Sequence, residues 1–139
     1  MVKSRADMLT PVGLAFIGDA AYTLFIRRRI AESCDIVAGT LHTACAAHVN
    51  AKAQARVYDE LVRRGALTAA EAEVAHRARN CHLHMRTKAA SSADYRKATE
   101  LEAVIGYVEL TDDGARKREL LELCAEISGI GERGADGNV

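Results

Sequence analysis

The chain has 139 residues, enough for one hydrophobic core, and its 49% hydrophobic and 27% charged content excludes a wholly disordered chain. The single proline argues against β-sandwiches and β-barrels, and the apolar segments are too short for a membrane span. A formal net charge of +0 excludes binding to an anionic polymer through bulk charge alone. We therefore expect one all-α domain with no membrane segment.

The first predicted helix begins at Thr10, a good N-cap, and Pro11, which suits the first helical position, and it runs to about Arg29. Its apolar residues surround most of the helix circumference, which predicts a central helix that is buried on several sides. These residues are Val12, Leu14, Phe16, Ile17, Ala20, Ala21, Leu24 and Phe25.

The second predicted helix is one long segment that begins at the cap Thr40 and ends before Gly65, which suits the position after a helix. Thr68 and Glu71 stand at the spacing of a capping box and predict a third helix that runs to about Asn80. Only a short turn is expected between these two helices.

A fourth helix is predicted to begin at Ser91 or Ser92, after the non-periodic segment Cys81–Ser91, which is typical of a surface loop. A break at Thr111–Gly114 precedes a fifth helix, which Gly129 closes. The apolar stripe of the fourth helix consists of Leu101, Val104, Ile105 and Val108.

These elements divide the chain into a short N-terminal extension over residues 1–9, a helical domain over 10–129 and a tail over 130–139. The glycines in the tail predict a flexible segment. The cysteines form no CxxC pair and no apolar signal segment opens the chain, so we expect reduced thiols, no structural zinc and a cytoplasmic protein. The cysteines are Cys34, Cys45, Cys81 and Cys124.

Two carboxylates lie in apolar helical sequence, namely Asp19, which follows Gly18 in the first helix, and Glu102, which borders the stripe of the fourth. A carboxylate in such surroundings is costly unless it is paired, hydrogen-bonded or bound to a metal ion. Taken singly, Asp19 is equally consistent with a cap beside a kink at Gly18, and Glu102 with a solvated flank. Together they could hold Mg²⁺, an ion that clamps phosphate oxygens and activates water.

Basic residues are concentrated in residues 77–97, which contain six of them against Asp94 alone, whereas residues 100–126 carry eight acidic residues against three basic ones. Such bases often do no more than keep a loop soluble, but a cluster beside two acidic helices indicates an anionic polymer as partner. Arg79, Asn80 and Lys88 are the candidate phosphate contacts. Tyr95 is the only aromatic residue there, which favours a duplex read by its backbone over stacked single strands.

The segment Gly13–Tyr22 resembles the signature helix of the ribonuclease III catalytic domain, and it is most similar to the short branch called Mini-III. Further stretches agree in order and spacing, so the resemblance covers about Thr10 to Ser128. They are Leu41-His42 with Val49, Ala51-Lys52 and Gln54-Ala55; Arg77-Ala78-Arg79-Asn80; and Tyr95-Arg96 with Thr99, Glu102-Ala103 and Gly106-Tyr107.

The resemblance implies a ribonuclease III-like helical bundle that forms a homodimer. It implies that Asp19 is the principal catalytic carboxylate, that Glu102 is a metal ligand with it, and that Arg79, Asn80 and Lys88 belong to the surface that meets RNA. The implied activity is Mg²⁺-dependent hydrolysis of double-stranded RNA to 5′-phosphate and 3′-hydroxyl ends. The branch is associated with maturation of the 23S ribosomal RNA precursor.

The chain departs from the family pattern at Val12, Ala15 and Thr99, where full-length ribonuclease III enzymes carry acidic residues, and in the loop Cys81–Thr87. The implied metal site is therefore poorer in carboxylates. These departures motivate an alternative, a non-catalytic RNA-binding or scaffold module with the same fold. A helical protein-interaction dimer with no RNA role is a third class, which the basic segment disfavours.

Overall fold

The computed structural model describes residues 5–33, 38–82, 92–111 and 114–130. Within these ranges it contains seven helices and no strand, which confirms the predicted all-α class. None of the described helices combines the length and hydropathy that crossing a bilayer requires. The helices are α1 (Arg5–Met8), α2 (Pro11–Ser33), α3 (Ala38–Val49), α4 (Ala51–Arg63), α5 (Ala69–His82), α6 (Ala93–Leu110) and α7 (Gly114–Ser128).

Three of the predicted helix starts are confirmed by their capping hydrogen bonds. The Thr10 hydroxyl accepts from the Gly13 amide at 3.1 Å, and the Ser92 hydroxyl accepts from the Tyr95 amide at 3.1 Å. Thr68 and Glu71 form the predicted capping box, since each side chain accepts a hydrogen bond from the backbone amide of the other. Gly65 and Gly129 follow their helices with φ of 63° and 79°, the left-handed conformation that ends many helices.

The prediction of one long second helix is wrong, because the helix is interrupted at Asn50. This residue has an extended conformation, with φ −75° and ψ 162°, and its side-chain oxygen accepts from the Ala53 amide that begins α4. Its side-chain amide donates to the carbonyl oxygens of Ala46 and Ala47 at the end of α3. Asn50 thus caps both helices and separates α3 from α4.

The core is organised around α6, which packs against α2, α4 and α5 and also contacts α1 and α7. The apolar stripe predicted for this helix is confirmed, because Leu101, Val104, Ile105 and Val108 are all buried. On its long neighbour α2, the fully buried residues are Leu14, Tyr22, Ile26 and Ile30. The carboxylate-bearing parts of α2 and α6 are therefore held in the centre of the molecule.

The prediction that the first helix is buried on several sides is wrong for one of its faces. Val12 and Leu24 are each 60% exposed and Phe16 is 77% exposed, because no described element of the chain covers them. The helix does pack closely against α6, as a central helix should. The apolar periodicity of the sequence identifies which positions of the helix are apolar. It does not show which of them face the core and which face a surface that no described element covers.

The two ends of the chain lie partly outside the described residues. In the predicted N-terminal extension, α1 packs on α6 through the buried Ala6. At the other end Ile130 is buried, whereas the rest of the predicted flexible tail, residues 131–139, lies outside the described residues.

Candidate active site and its surroundings

Two glycines permit α2 and α6 to cross at very short range. A β-carbon added at Gly18 would lie 1.7 Å from the Glu102 carbonyl oxygen, which is far inside van der Waals contact. The backbone of α2 therefore touches the backbone of α6 beside the two candidate carboxylates. Asp19 does not cap a helix end, because α2 is helical on both sides of Gly18 and Asp19.

Asp19 and Glu102 lie together at this crossing. Asp19 is exposed on α2, whereas Glu102 is half-buried on α6 and shares a hydrogen bond with the Asp19 carboxylate. Burial, together with that hydrogen bond and the negative charge of Asp19, raises the pKa of Glu102 from 4.5 to about 8. In the absence of a cation, Glu102 therefore binds a proton more tightly than an ordinary glutamate does. Glu102 is not the solvated flank that its position beside the stripe also allowed.

The carboxylate pair lies in an open cleft of about 330 Å³. Val12, Ala15 and Thr99, the three positions that depart from the acidic family pattern, all line this cleft, so its wall is largely apolar. The Thr99 hydroxyl is engaged, because it donates to the Tyr95 carbonyl oxygen at 3.0 Å. The complete lining consists of Pro11, Val12, Ala15, Phe16, Asp19, Ala78, Cys81, Tyr95, Thr99 and Glu102.

The donor set of the cleft fits a hard cation that keeps part of its water shell. In the described residues no three His, Cys, Asp or Glu side chains form a metal-binding group, so these residues would contribute two carboxylates to the ion. Mg²⁺ accepts oxygen ligands and commonly retains several waters when one or two carboxylates bind it.

The structure does not bring Arg79 and Asn80 into this cleft. Both are exposed on α5, where the neighbouring Ala78 faces the cleft. Arg79 instead borders a second groove between α4, α5 and α6, and the Asn80 amide lies 3.3 Å from the ring nitrogen of His76. Lys88 lies outside the described residues, as do residues 83–87 of the divergent loop.

One residue that the sequence analysis missed is Glu100. The sequence places Glu100 only in the acidic segment that follows the basic one. In the structure Glu100 is 2% exposed, and its carboxylate accepts a hydrogen bond from Arg79 Nε at 2.9 Å. Helical spacing could have indicated this burial, because Glu100 precedes Val104 of the buried stripe by one helical turn and so lies on the same face of the helix.

Comparison with known proteins gives a consistent result. Residues 12–113 match the model of the Ribonuclease III domain family. The chain is 34% identical to a Mini-ribonuclease 3 of Streptococcus pneumoniae, over 86% of this chain and 94% of that protein. It is 36% identical to a Mini-ribonuclease 3 of Symbiobacterium thermophilum, over 86% of this chain and 90% of that protein. A crystal structure of a Fusobacterium nucleatum protein superimposes with a TM-score of 0.70 at 27% identity, covering 84% of this chain and 92% of the other.

Proposed function

The chain belongs to the ribonuclease III family, and we propose that it is a Mg²⁺-dependent endoribonuclease that hydrolyses phosphodiester bonds in double-stranded RNA. The observation that carries this proposal is the contact between Asp19 and Glu102 at the crossing of α2 and α6. Two carboxylates that lie side by side in a largely apolar cleft are costly to the fold, and a bound cation would offset that cost.

In this proposal Asp19 and Glu102 hold the ion. When bound, Mg²⁺ supplies the Lewis acid that draws in phosphate oxygens and makes a bound water nucleophilic. Both carboxylates would be ionised when they hold the cation. The apolar wall, which includes Val12 and Ala15, would lie beside the reacting phosphate. Attack of a water oxygen on phosphorus breaks the bond to the 3′ oxygen and leaves 5′-phosphate and 3′-hydroxyl ends.

We assign Arg79, Asn80 and Lys88 to contacts with the RNA backbone. Arg79 and Asn80 are both exposed near the end of α5, where polar side chains can reach phosphate oxygens. The single aromatic side chain of the basic segment, Tyr95, provides no row of stacking platforms, so a duplex bound through its backbone is the preferred substrate. The names of the Mini-ribonuclease 3 relatives support a ribonuclease of the same branch. We further propose that it acts in the cytoplasm on the 23S ribosomal RNA precursor, as the resemblance implies.

The proposed enzyme is a homodimer that uses the uncovered face of α2. Val12 and Phe16 form an exposed apolar surface beside the Asp19 and Glu102 cleft, and both also line that cleft. A second copy of the chain is the occupant we propose, because an apolar surface of this kind offers nothing to a phosphate backbone. Two copies would place two cleavage sites near one duplex, one for each strand.

The test is incubation of the purified protein with a labelled RNA duplex, with Mg²⁺ or with EDTA, beside the Asp19→Asn variant. Cutting that requires Mg²⁺ and disappears in the variant supports the proposal. Binding without any cutting would favour the non-catalytic RNA-binding or scaffold module, which the apolar residues at positions 12 and 15 motivate. Neither binding nor cutting would favour the helical protein-interaction dimer.

A further inference from the structure

The described chain contains two buried glutamates, Glu71 and Glu100, each 2% exposed, and each pairs with an arginine. A buried carboxylate requires a partner of opposite charge or several hydrogen bonds, so both pairs are expected to hold their arginines firmly. The two pairs nevertheless differ in how much of the arginine remains accessible. That difference separates a structural pair from one that presents a charge at the surface.

In the Glu71 pair, the arginine is largely inaccessible to solvent. Arg116 donates from Nε and Nη2 to the two Glu71 carboxylate oxygens, at 2.8 and 2.6 Å, and Nη2 also reaches the Ala66 carbonyl oxygen at 2.8 Å. Its remaining nitrogen, Nη1, donates to Glu119. The Arg116 side chain is only 17% exposed, and its nitrogens all bond to protein oxygens, those of Glu71 fastening α7 to the start of α5.

In the Glu100 pair, the arginine remains accessible to solvent. Arg79 donates from Nε to Glu100 Oε1 at 2.9 Å and also makes a hydrogen bond with the Tyr58 side chain. Its side chain is nevertheless 58% exposed, whereas that of Glu100 is 3% exposed. A guanidinium has five N–H donors, so the contacts with Glu100 and Tyr58 leave other donors accessible at the surface. The buried Glu100 carboxylate therefore fixes the Nε edge of the Arg79 guanidinium.

A fixed guanidinium suits recognition of a phosphate. Arginine binds phosphate with two parallel hydrogen bonds, and that geometry is lost when a long, mobile side chain must be ordered first. The Glu100 charge acts in the opposite direction, because it cancels the positive charge of Arg79 and weakens its attraction to an anion at a distance. If orientation of Arg79 dominates, removal of Glu100 weakens binding of the phosphate. If cancellation of charge dominates, removal of Glu100 strengthens it.

We infer that Glu100 is a positioning residue, which holds Arg79 so that its exposed donors face the backbone phosphates of double-stranded RNA. The inference rests on the proposed function and extends it to the face of α6 opposite Glu102. Residues two positions apart on a helix are separated by about 200°, so the Glu100 pair and the carboxylate cleft lie on different sides of α6. The RNA would accordingly contact the protein on both sides of that helix.

The test measures binding of a short, fluorescently labelled RNA duplex in EDTA, over a series of KCl concentrations. Arg79→Ala is expected to weaken binding about tenfold and to reduce the salt slope by about 1, the signature of one lost phosphate contact. Glu100→Ala is expected to do the same, and the double variant is expected to match either single variant. Glu100→Gln keeps an oxygen that accepts from Arg79 Nε, so it is expected to retain most of the affinity.

Glu71→Gln is the matched control, because it changes the other buried glutamate and leaves Arg79 untouched. It is expected to lower the unfolding temperature without changing the RNA salt slope. If Glu100→Ala does not fold, Glu100→Asp replaces it. The shorter side chain keeps the buried charge but draws the carboxylate away from Arg79, and it is expected to reduce the affinity and the slope.

The inference is overturned if Glu100→Ala, or Glu100→Asp in its place, binds RNA as tightly as the unaltered protein or more tightly. It is also overturned if the effects of Glu100→Ala and Arg79→Ala add in the double variant, because Glu100 would then act independently of Arg79. An Arg79→Ala variant with normal affinity overturns the inference while leaving cleavage through Asp19 and Glu102 intact. An unaltered protein that neither binds nor cuts duplex RNA overturns the proposed function itself.

Discussion

Gly18 on α2 and Gly106 on α6 face each other across the helix crossing, and each one leaves room for the backbone of the other helix. A β-carbon at Gly106 would lie 1.8 Å from the Leu14 carbonyl oxygen, and one at Gly18 would lie 1.7 Å from the Glu102 carbonyl oxygen. The obstructing atoms belong to the backbone, so no side-chain rotation can relieve the clash. The two glycines thus set the separation of Asp19 and Glu102.

Replacing either glycine with alanine is expected to separate α2 from α6. We expect Gly18→Ala and Gly106→Ala each to lower the free energy of unfolding by about 3 kcal/mol or more, since the clash forces two core helices apart. Urea denaturation measures the change. Gly114→Ala is the matched control, because a β-carbon there meets nothing within 4 Å. An unchanged unfolding midpoint for Gly18→Ala would mean that the helices do not cross at this distance.

The stability of the metal-free protein is expected to depend on Glu102. Its pKa of about 8 in the folded chain lies above its ordinary value of 4.5, so the folded state binds this proton more tightly than the unfolded state does. The contribution of Glu102 to stability is therefore complete below about pH 4.5 and decreases as the pH rises through 8.

The Glu102→Gln variant tests this dependence, because a glutamine carries no titrating proton. In EDTA at pH 9, we expect it to be more stable than the unaltered protein by on the order of 2 kcal/mol, and less so at pH 5. Thermal unfolding across that pH range makes the comparison. Parallel pH profiles for the two proteins would show that Glu102 ionises normally.

Mg²⁺ is expected to stabilise the folded chain through Asp19 and Glu102. At ten times its dissociation constant, a ligand that binds only the folded state adds about 1.4 kcal/mol, which corresponds to a rise of about 5 °C in the unfolding temperature. We expect this rise at pH 8 in the unaltered protein and its loss in Asp19→Asn. An equal rise in both proteins would place the ion elsewhere. This measurement requires no RNA, so it tests the metal site separately from cleavage.

Phe16 is expected to hold two copies of the chain together. A charged residue on this 77% exposed position would have to be desolvated against the apolar surface of a second copy, so Phe16→Glu is expected to be a monomer. Sedimentation velocity gives the oligomeric state. Val62→Glu is the control, because Val62 is 53% exposed but lies on α4, away from the α2 face. Identical sedimentation of Phe16→Glu and the unaltered protein would exclude this face as the interface.

Local capping chemistry made three of the seven helix starts predictable. A threonine or serine at the right distance from the first amides determines where a helix begins, as at Thr10, Thr68 and Ser92, and such contacts are encoded within a few residues. The pairing of Asp19 with Glu102 was predictable for a different reason. Carboxylates in apolar helices require partners, and each was the other's most plausible one.

The features that escaped prediction depend on tertiary contacts. The exposure of Phe16 depends on which neighbour covers α2, and helical periodicity does not report that. The burial of Glu100 depends on an arginine 21 residues earlier in the chain. The break at Asn50 was missed because an asparagine inside a helical pattern costs little by propensity alone.

The asparagine at position 50 also determines the route of the chain. An unbroken helix from residue 38 to residue 63 would be a straight rod about 39 Å long. In the folded protein, α3 lies against α2, whereas α4 lies against α6 and α7. The break at Asn50 falls where one set of neighbours gives way to the other. Asn50 contributes nothing to the lining of the carboxylate cleft, yet the turn it stabilises decides which helices enclose the one that carries Glu102.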